Sequence, residues 1–153
     1  MPPGWKKAFG ELLCEDIKLE LIRCNFLDEY RIFQVKEKYG ELRWYNNGTP
    51  EGCKVQDIID RYSCISGHIC CACGALDAHM VYGGWISPYC SRCYTRYFGS
   101  RAASYEKATK GDTDPIPTRM RWRTWTADGV VEMEEDITET VDRIRERNRE
   151  EKI

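Results

Sequence analysis

The chain has 153 residues, of which 42% are hydrophobic and 31% charged, with a net charge of −2. That suits one domain with a modest core and excludes an unfolded polar chain. No apolar run approaches the ~20 residues of a membrane span, and Met1–Lys7 has no apolar segment of the kind a signal peptide needs.

The first expected element is a helix over residues 5–24, where Trp5, Phe9, Leu12, Leu13, Ile17, Leu21 and Cys24 recur at helical spacing after Pro2 and Pro3. Ile17, Leu19 and Leu21 also alternate as a strand would, so its end is open. Residues 30–38 and 41–46 read as two strands joined at Tyr39-Gly40, a β-hairpin. Asn46–Pro50 is a turn cluster, and Val55, Ile58, Ile59 and Tyr62 mark a short amphipathic helix. A further helix is expected from near Cys90 through Tyr94, Tyr97 and Phe98 toward Lys107, with Gly111–Pro117 as a loop. Arg119–Thr126 reads as a strand, and Met133, Ile137, Val141 and Ile144 as a helix from about Glu132 whose last ten residues lack an ordering signal.

Two cysteine pairs dominate the chemistry. Cys70-x-x-Cys73 and Cys90-x-x-Cys93 stand sixteen residues apart, the spacing of a four-cysteine zinc site. A two-residue gap lets one tight turn aim two thiolates at one ion, and zinc takes four such ligands tetrahedrally. With every position filled by protein, the expected role of the ion is structural. Gly74 after the first pair allows positive φ, and a helix beginning at the second pair offers N–H groups to thiolates. Cys64, Cys71, His68 and His79 lie near in sequence and read as packing or polar residues, with ligand exchange as the alternative. Cys14, Cys24 and Cys53 are too scattered to suggest a second site. Two matched pairs without a signal peptide favour metal over disulfides, hence a reducing, cytoplasmic compartment.

Binding signals are more open. Residues 92–127 hold eight Lys/Arg against three acids, net +5, while 128–153 hold ten acids against five bases, net −5. A basic segment before an acidic one is either a partner surface masked by its own tail or two solvated faces. Lys36, Lys38 and Arg43 interleave with Tyr39, Trp44 and Tyr45, a mixture that holds single strands by phosphate contact and stacking, or else simply lines a half-buried sheet. Arg119, Arg121 and Arg123 share one strand face, able to grip phosphates or to pair with Glu132, Glu134, Glu135 and Asp136. Gly83-Gly84-Trp85 falls between the cysteine pairs, with Trp85 expected to cover the metal. No phosphate-binding glycine loop, H-E-x-x-H or nucleophile elbow is present. Asp77-Ala78-His79 is the one hint of a metal-dependent nuclease.

The run Gln34–Tyr45 (QVKEKYGELRWY) and the set Cys70-x-x-Cys73-Gly74, Gly83-Gly84-Trp85, Cys90-x-x-Cys93 together resemble a group of small bacteriophage and prophage proteins with no established activity. Those pair a VKEKFGGLRFY-like hairpin with a CxxCG…GGW…CxxC zinc motif. The likeness covers roughly residues 5–95. Tyr39 replaces the usual Phe, Glu41 replaces a second Gly, and the chain continues past residue 100. The resemblance implies phage origin and a zinc fold.

The expected fold is α+β: a small treble-clef-like zinc domain with an N-terminal helix, a β-hairpin and a C-terminal helical extension. Residues 1–110 carry the helix, hairpin and zinc site, and 111–153 the basic strand and acidic helix, partly flexible. The expected function is a non-enzymatic, zinc-stabilised phage protein contacting nucleic acid or its machinery. An inhibitor of a host enzyme or defence complex is the first alternative, and a nuclease the second.

Overall fold

The computed structural model describes residues 1–99 and 102–150. Glu151–Ile153, the end of the expected tail, lie outside the described residues. The chain opens with a continuous helix of three parts: α1 (Pro3–Trp5), a π-helical turn (Lys6–Gly10) and α2 (Glu11–Arg23). Its core residues Trp5, Phe9, Leu13, Ile17 and Leu21 recur every four positions. In a helix of 3.6 residues per turn, that spacing drifts by about 40° per step. The π turn winds more slowly, with i→i+5 bonds, and it falls where Trp5 and Phe9 must rejoin the buried face.

Strands β1 (Ile32–Lys38) and β2 (Glu41–Asn46) form the expected antiparallel hairpin, with Tyr39 and Gly40 both at positive φ in the turn. Helix α3 (Val55–Ser66) lies along the free edge of β2. The Leu42 N–H donates to Ser66 Oγ at 3.0 Å, and Ser63 Oγ donates to the Leu42 carbonyl at 3.1 Å. Two serines thus satisfy backbone groups that an edge strand would otherwise leave open. Strands β3 (His79–Val81) and β4 (Ser87–Tyr89) form a second hairpin, followed by α4 (Ser91–Phe98) and the single turn α5 (Tyr105–Ala108). The expected helix toward Lys107 is therefore two. α4 stops at Gly99, whose φ of +72° leaves the helical region, and Ser104 caps a new start.

Strands β5 (Arg119–Thr126) and β6 (Gly129–Asp136) make a third hairpin. This corrects the helix expected from Glu132. A two-residue loop at Ala127-Asp128 turns the chain back, and β-branched Val130 and Val131 favour the strand. Helix α6 (Thr138–Glu150) begins only after Asp136, whose Oδ1 accepts from the Thr138 N–H at 2.9 Å. α6 is helical to its last described residue, and its Val141 and Ile144 are fully buried, together with Ile137 just before it.

One apolar cluster joins the N-terminal helix, Leu42 and Trp44 of β2, the inner face of α3, and Ile137, Val141 and Ile144. Around it, Arg143 of α6 grips Asp16 through two bonds of 2.9 Å, and the Tyr62 hydroxyl donates to the same carboxylate at 2.7 Å. Burial beside that carboxylate raises the Tyr62 pKa. Arg147 pairs with Glu11, and Arg61 with Glu135 at 3.1 Å.

Cys24 and Cys53, read from sequence as too scattered to suggest a second site, are disulfide-bonded, with Cα atoms 5.8 Å apart. The same junction carries Arg23 donating to the Gly52 carbonyl and the Lys54 N–H donating to Glu20. Among the described residues no helix is long and apolar enough to cross a membrane.

Candidate metal centre and neighbouring surfaces

The first cysteine pair sits on a tight knuckle. The Gly74 N–H donates to the Cys70 carbonyl at 2.9 Å, and the Cys70 N–H to the Ala75 carbonyl at 2.8 Å. Gly74 has φ +85°, and a Cβ there would stand 2.7 Å from the Gly4 carbonyl oxygen. Glycine is required on both counts. The reciprocal contact is equally tight, since a Cβ on Gly4 would meet Gly74 N at 2.6 Å. The Gly4 N–H donates to the Cys71 carbonyl at 2.9 Å, and Trp5 Nε1 to the Ile69 carbonyl at 2.8 Å. The start of the N-terminal helix thus braces the knuckle.

The second pair begins α4. Cys90 is its N-cap, and its Sγ accepts from the Cys93 N–H at 3.5 Å. The β3–β4 hairpin folds this end back onto the knuckle, helped by the Cys71 N–H donating to the Pro88 carbonyl at 3.0 Å. The sulfurs of Cys70, Cys73, Cys90 and Cys93 all lie within 4.8 Å of one another. Cys73 and Cys90 Sγ are 3.7 Å apart. Four thiolates at 2.3 Å from a central ion stand about 3.8 Å apart, so the four cysteines fit a tetrahedral metal ion. Cys70 and Cys90 are fully buried, and Cys73 and Cys93 half-buried.

In the absence of an ion, burial pushes the Cys90 and Cys93 thiols up, since a low-dielectric site disfavours thiolates. Burial acts the same way on Cys70, but hydrogen bonding with the backbone of Cys90, Cys73 and Ala72 outweighs it and holds that thiol below its ordinary value. A divalent ion inverts this logic and deprotonates all four. Arg92, 3.9 Å from Asp77, stands close enough for the Cys90 thiolate to raise its own pKa. Arg96 instead lies over the Tyr97 ring.

The neighbouring candidates separate cleanly from this cluster. Cys71 and Cys64 are half-buried against the main core, and burial pushes the Cys71 thiol up to about 11. His79 Nδ1 is 3.5 Å from Asp112 Oδ2, and the Nδ1 atoms of His68 and His79 are buried without a hydrogen-bond partner.

Trp85 does not cover the cysteine cluster; it is 76% exposed at the tip between β3 and β4. With Lys36, Lys38, Tyr39 and Ile86 it lines a cleft of about 450 Å³ between the first two hairpins. The Glu37 carboxylate in this cleft is already engaged, accepting from Ser87 Oγ and the Gly40 N–H, each at 2.8 Å. Trp44, expected on the same surface, is buried, and its Nε1 donates to Tyr30 Oη at 2.8 Å. The register explains this. Val35 and Trp44 face the core together, leaving Lys36, Arg43 and Tyr45 outside, with Lys36 over the Tyr45 ring.

Arg119, Arg121 and Arg123 do share a face, directly opposite Asp136, Glu134 and Glu132. Arg119 and Arg121 reach Glu134 at 3.0 and 3.6 Å, and Arg123 reaches Glu132 at 3.5 Å. The row is charge-matched within its own hairpin. The opposite face carries Met120, Trp122, Met133 and Val131, the last three substantially exposed.

Comparison with protein-family models, curated proteins and solved structures gives no match.

Proposed function

We propose that this is a non-enzymatic, zinc-stabilised binding protein of phage origin that contacts single-stranded nucleic acid in the host cytoplasm, with the cysteine site arranged as a treble clef. Zinc is the ion favoured by four thiolates in tetrahedral array. A knuckle, a short hairpin and a helix opened by Cys90 support the treble clef. Phage origin rests on the hairpin and cysteine motifs described above.

The cleft between the first two hairpins carries the nucleic-acid reading. Two lysines and two exposed aromatic rings face one opening, the combination that stacks bases and holds phosphates without sequence preference. Zinc acts here by fixing the β3–β4 hairpin, and so the place of Trp85.

Fluorescence anisotropy of a labelled single-stranded oligonucleotide tests this. Trp85→Ala, at an exposed site, should weaken binding by about 5- to 150-fold, the loss of one stacked base. Lys36→Gln with Lys38→Gln should lower the salt slope by about 0.7 per lost contact. Absence of binding at low salt ends the reading.

The apolar face of the β5–β6 hairpin favours a second reading, an inhibitor or adaptor that docks on a host protein. Capture of one host protein from lysate, surviving nuclease treatment and lost on Trp122→Ser, would establish it. Strand cleavage with added divalent metal, lost in His79→Ala, would move the protein to the nucleases.

A further inference from the structure

A second opening, of about 660 Å³, lies on the outer side of the cysteine knuckle. Three separate stretches of chain close around it. Lys7 comes from the π-helical turn, Arg92 from α4, and Arg145, Asn148 and Arg149 from α6. The knuckle segment from Cys73 to Asp77 forms its floor. Four cations therefore face one carboxylate, Asp77. Among the described residues no carboxylate stands within 4.0 Å of Lys7 or Arg149, and Arg145 reaches only Asp142, on its own helix, at 3.6 Å.

This concentration of charge carries a cost. Arg145 and Arg149 are four apart on one helix, an arrangement of like charges that destabilises a helix. The register of α6 holds them there, because Val141 and Ile144 are locked in the core and Arg147 pairs with Glu11 on another side. A four-thiolate zinc site bears a net charge of −2, and Arg92 stands beside it. Arg145, Arg149 and Lys7 are set around an open space large enough for a further anion.

We propose that Lys7, Arg92, Arg145 and Arg149 form a phosphate site. A guanidinium presents paired N–H donors that match two phosphate oxygens, and a lysine adds a compact charge. The phosphate comes either from a polynucleotide backbone or from a free phosphate ester. The inference rests on the nucleic-acid reading only for that source, since the site is defined by its own cations.

The test uses the full-length zinc-loaded protein and inorganic phosphate, at constant ionic strength in chloride. The arginine Nε–Hε NMR signals of Arg92, Arg145 and Arg149 should shift saturably. The double variant Arg145→Gln, Arg149→Gln should abolish saturation at unchanged zinc content, and Lys7→Gln should weaken it. With a single-stranded oligonucleotide, the double variant should also lower the salt slope by about 0.7 per lost phosphate contact. If phosphate saturates while that slope is unchanged, the site is confirmed with a free phosphate ester as its ligand. If phosphate saturates and no oligonucleotide binds, the site stands and the nucleic-acid reading falls. Unsaturable shifts with an unchanged slope overturn the site, as does lowered zinc content in the double variant with phosphate binding intact, which would make the arginines counter-charges of the metal.

Discussion

The helical body and the cysteine knuckle are held together in different ways. The body buries Trp5, Phe9, Leu13, Tyr62, Ile65 and Ile144 in one apolar cluster. The knuckle's own cluster has only Cys70, Ala78 and Cys90 as buried members. Apolar burial contributes about 25 cal/mol per Å², so the first region stabilises itself while the second has little to bury. What the knuckle has is four convergent sulfurs. If an ion binds there, a region with so small a core should depend on it far more than the body does.

Cys90→Ser breaks this comparison most directly. It should abolish metal binding and remove a contribution on the order of 10 kcal/mol. The β3–β4 hairpin should lose hydrogen-exchange protection while the N-terminal helix keeps its far-UV signal. Zinc stoichiometry and exchange read the two regions separately, and a variant with full zinc content would end the metal-staple view. Leu13→Ala acts on the other side. A fully buried leucine costs about 2–5 kcal/mol when truncated. The denaturant midpoint should fall with zinc content unchanged. Gly74→Ala addresses the junction, where the positive φ alone costs about 1–3 kcal/mol and the added Cβ presses on Gly4. It should lower zinc affinity and the body's melting temperature together; an effect on one alone would show the brace to be slack. Arg143→Ala is the smallest, about 1 kcal/mol for a partly exposed pair that leaves Asp16 its bond from Tyr62. It should loosen α6 in thermal melts without touching the metal.

Features set by neighbouring residues are legible in the sequence. The cysteine spacing locates the four-cysteine cluster, and alternation around Tyr39-Gly40 locates the first hairpin. Four-residue recurrence finds the N-terminal helix, though nothing in it announces the π turn. The expectations that fail share a cause. Glu132–Asp136 looks helical in isolation because its strand character comes from partners across a two-residue loop. Trp44 and Tyr45 are adjacent and equally aromatic, and only the hairpin's register sends one inward. Proximity in the chain ties Trp85 to the metal, whereas the cleft it lines is built with residues 36–39. The Cys24–Cys53 pairing and the gathering of Lys7 with Arg145 and Arg149 join positions far apart in the chain, set by packing alone.

The β5–β6 hairpin has two open edges, and its charges are segregated by strand. One edge carries Arg119, Arg121 and Arg123, the other Glu132, Glu134 and Asp136. Any closed two-fold pairing of like edges sets arginine against arginine or carboxylate against carboxylate, which is unfavourable between strands. Only an edge of one kind against the other is matched, and repetition of that contact does not close into a dimer. The ladder that neutralises each hairpin internally thus also sorts the ways two copies can meet, and added salt relaxes the sorting.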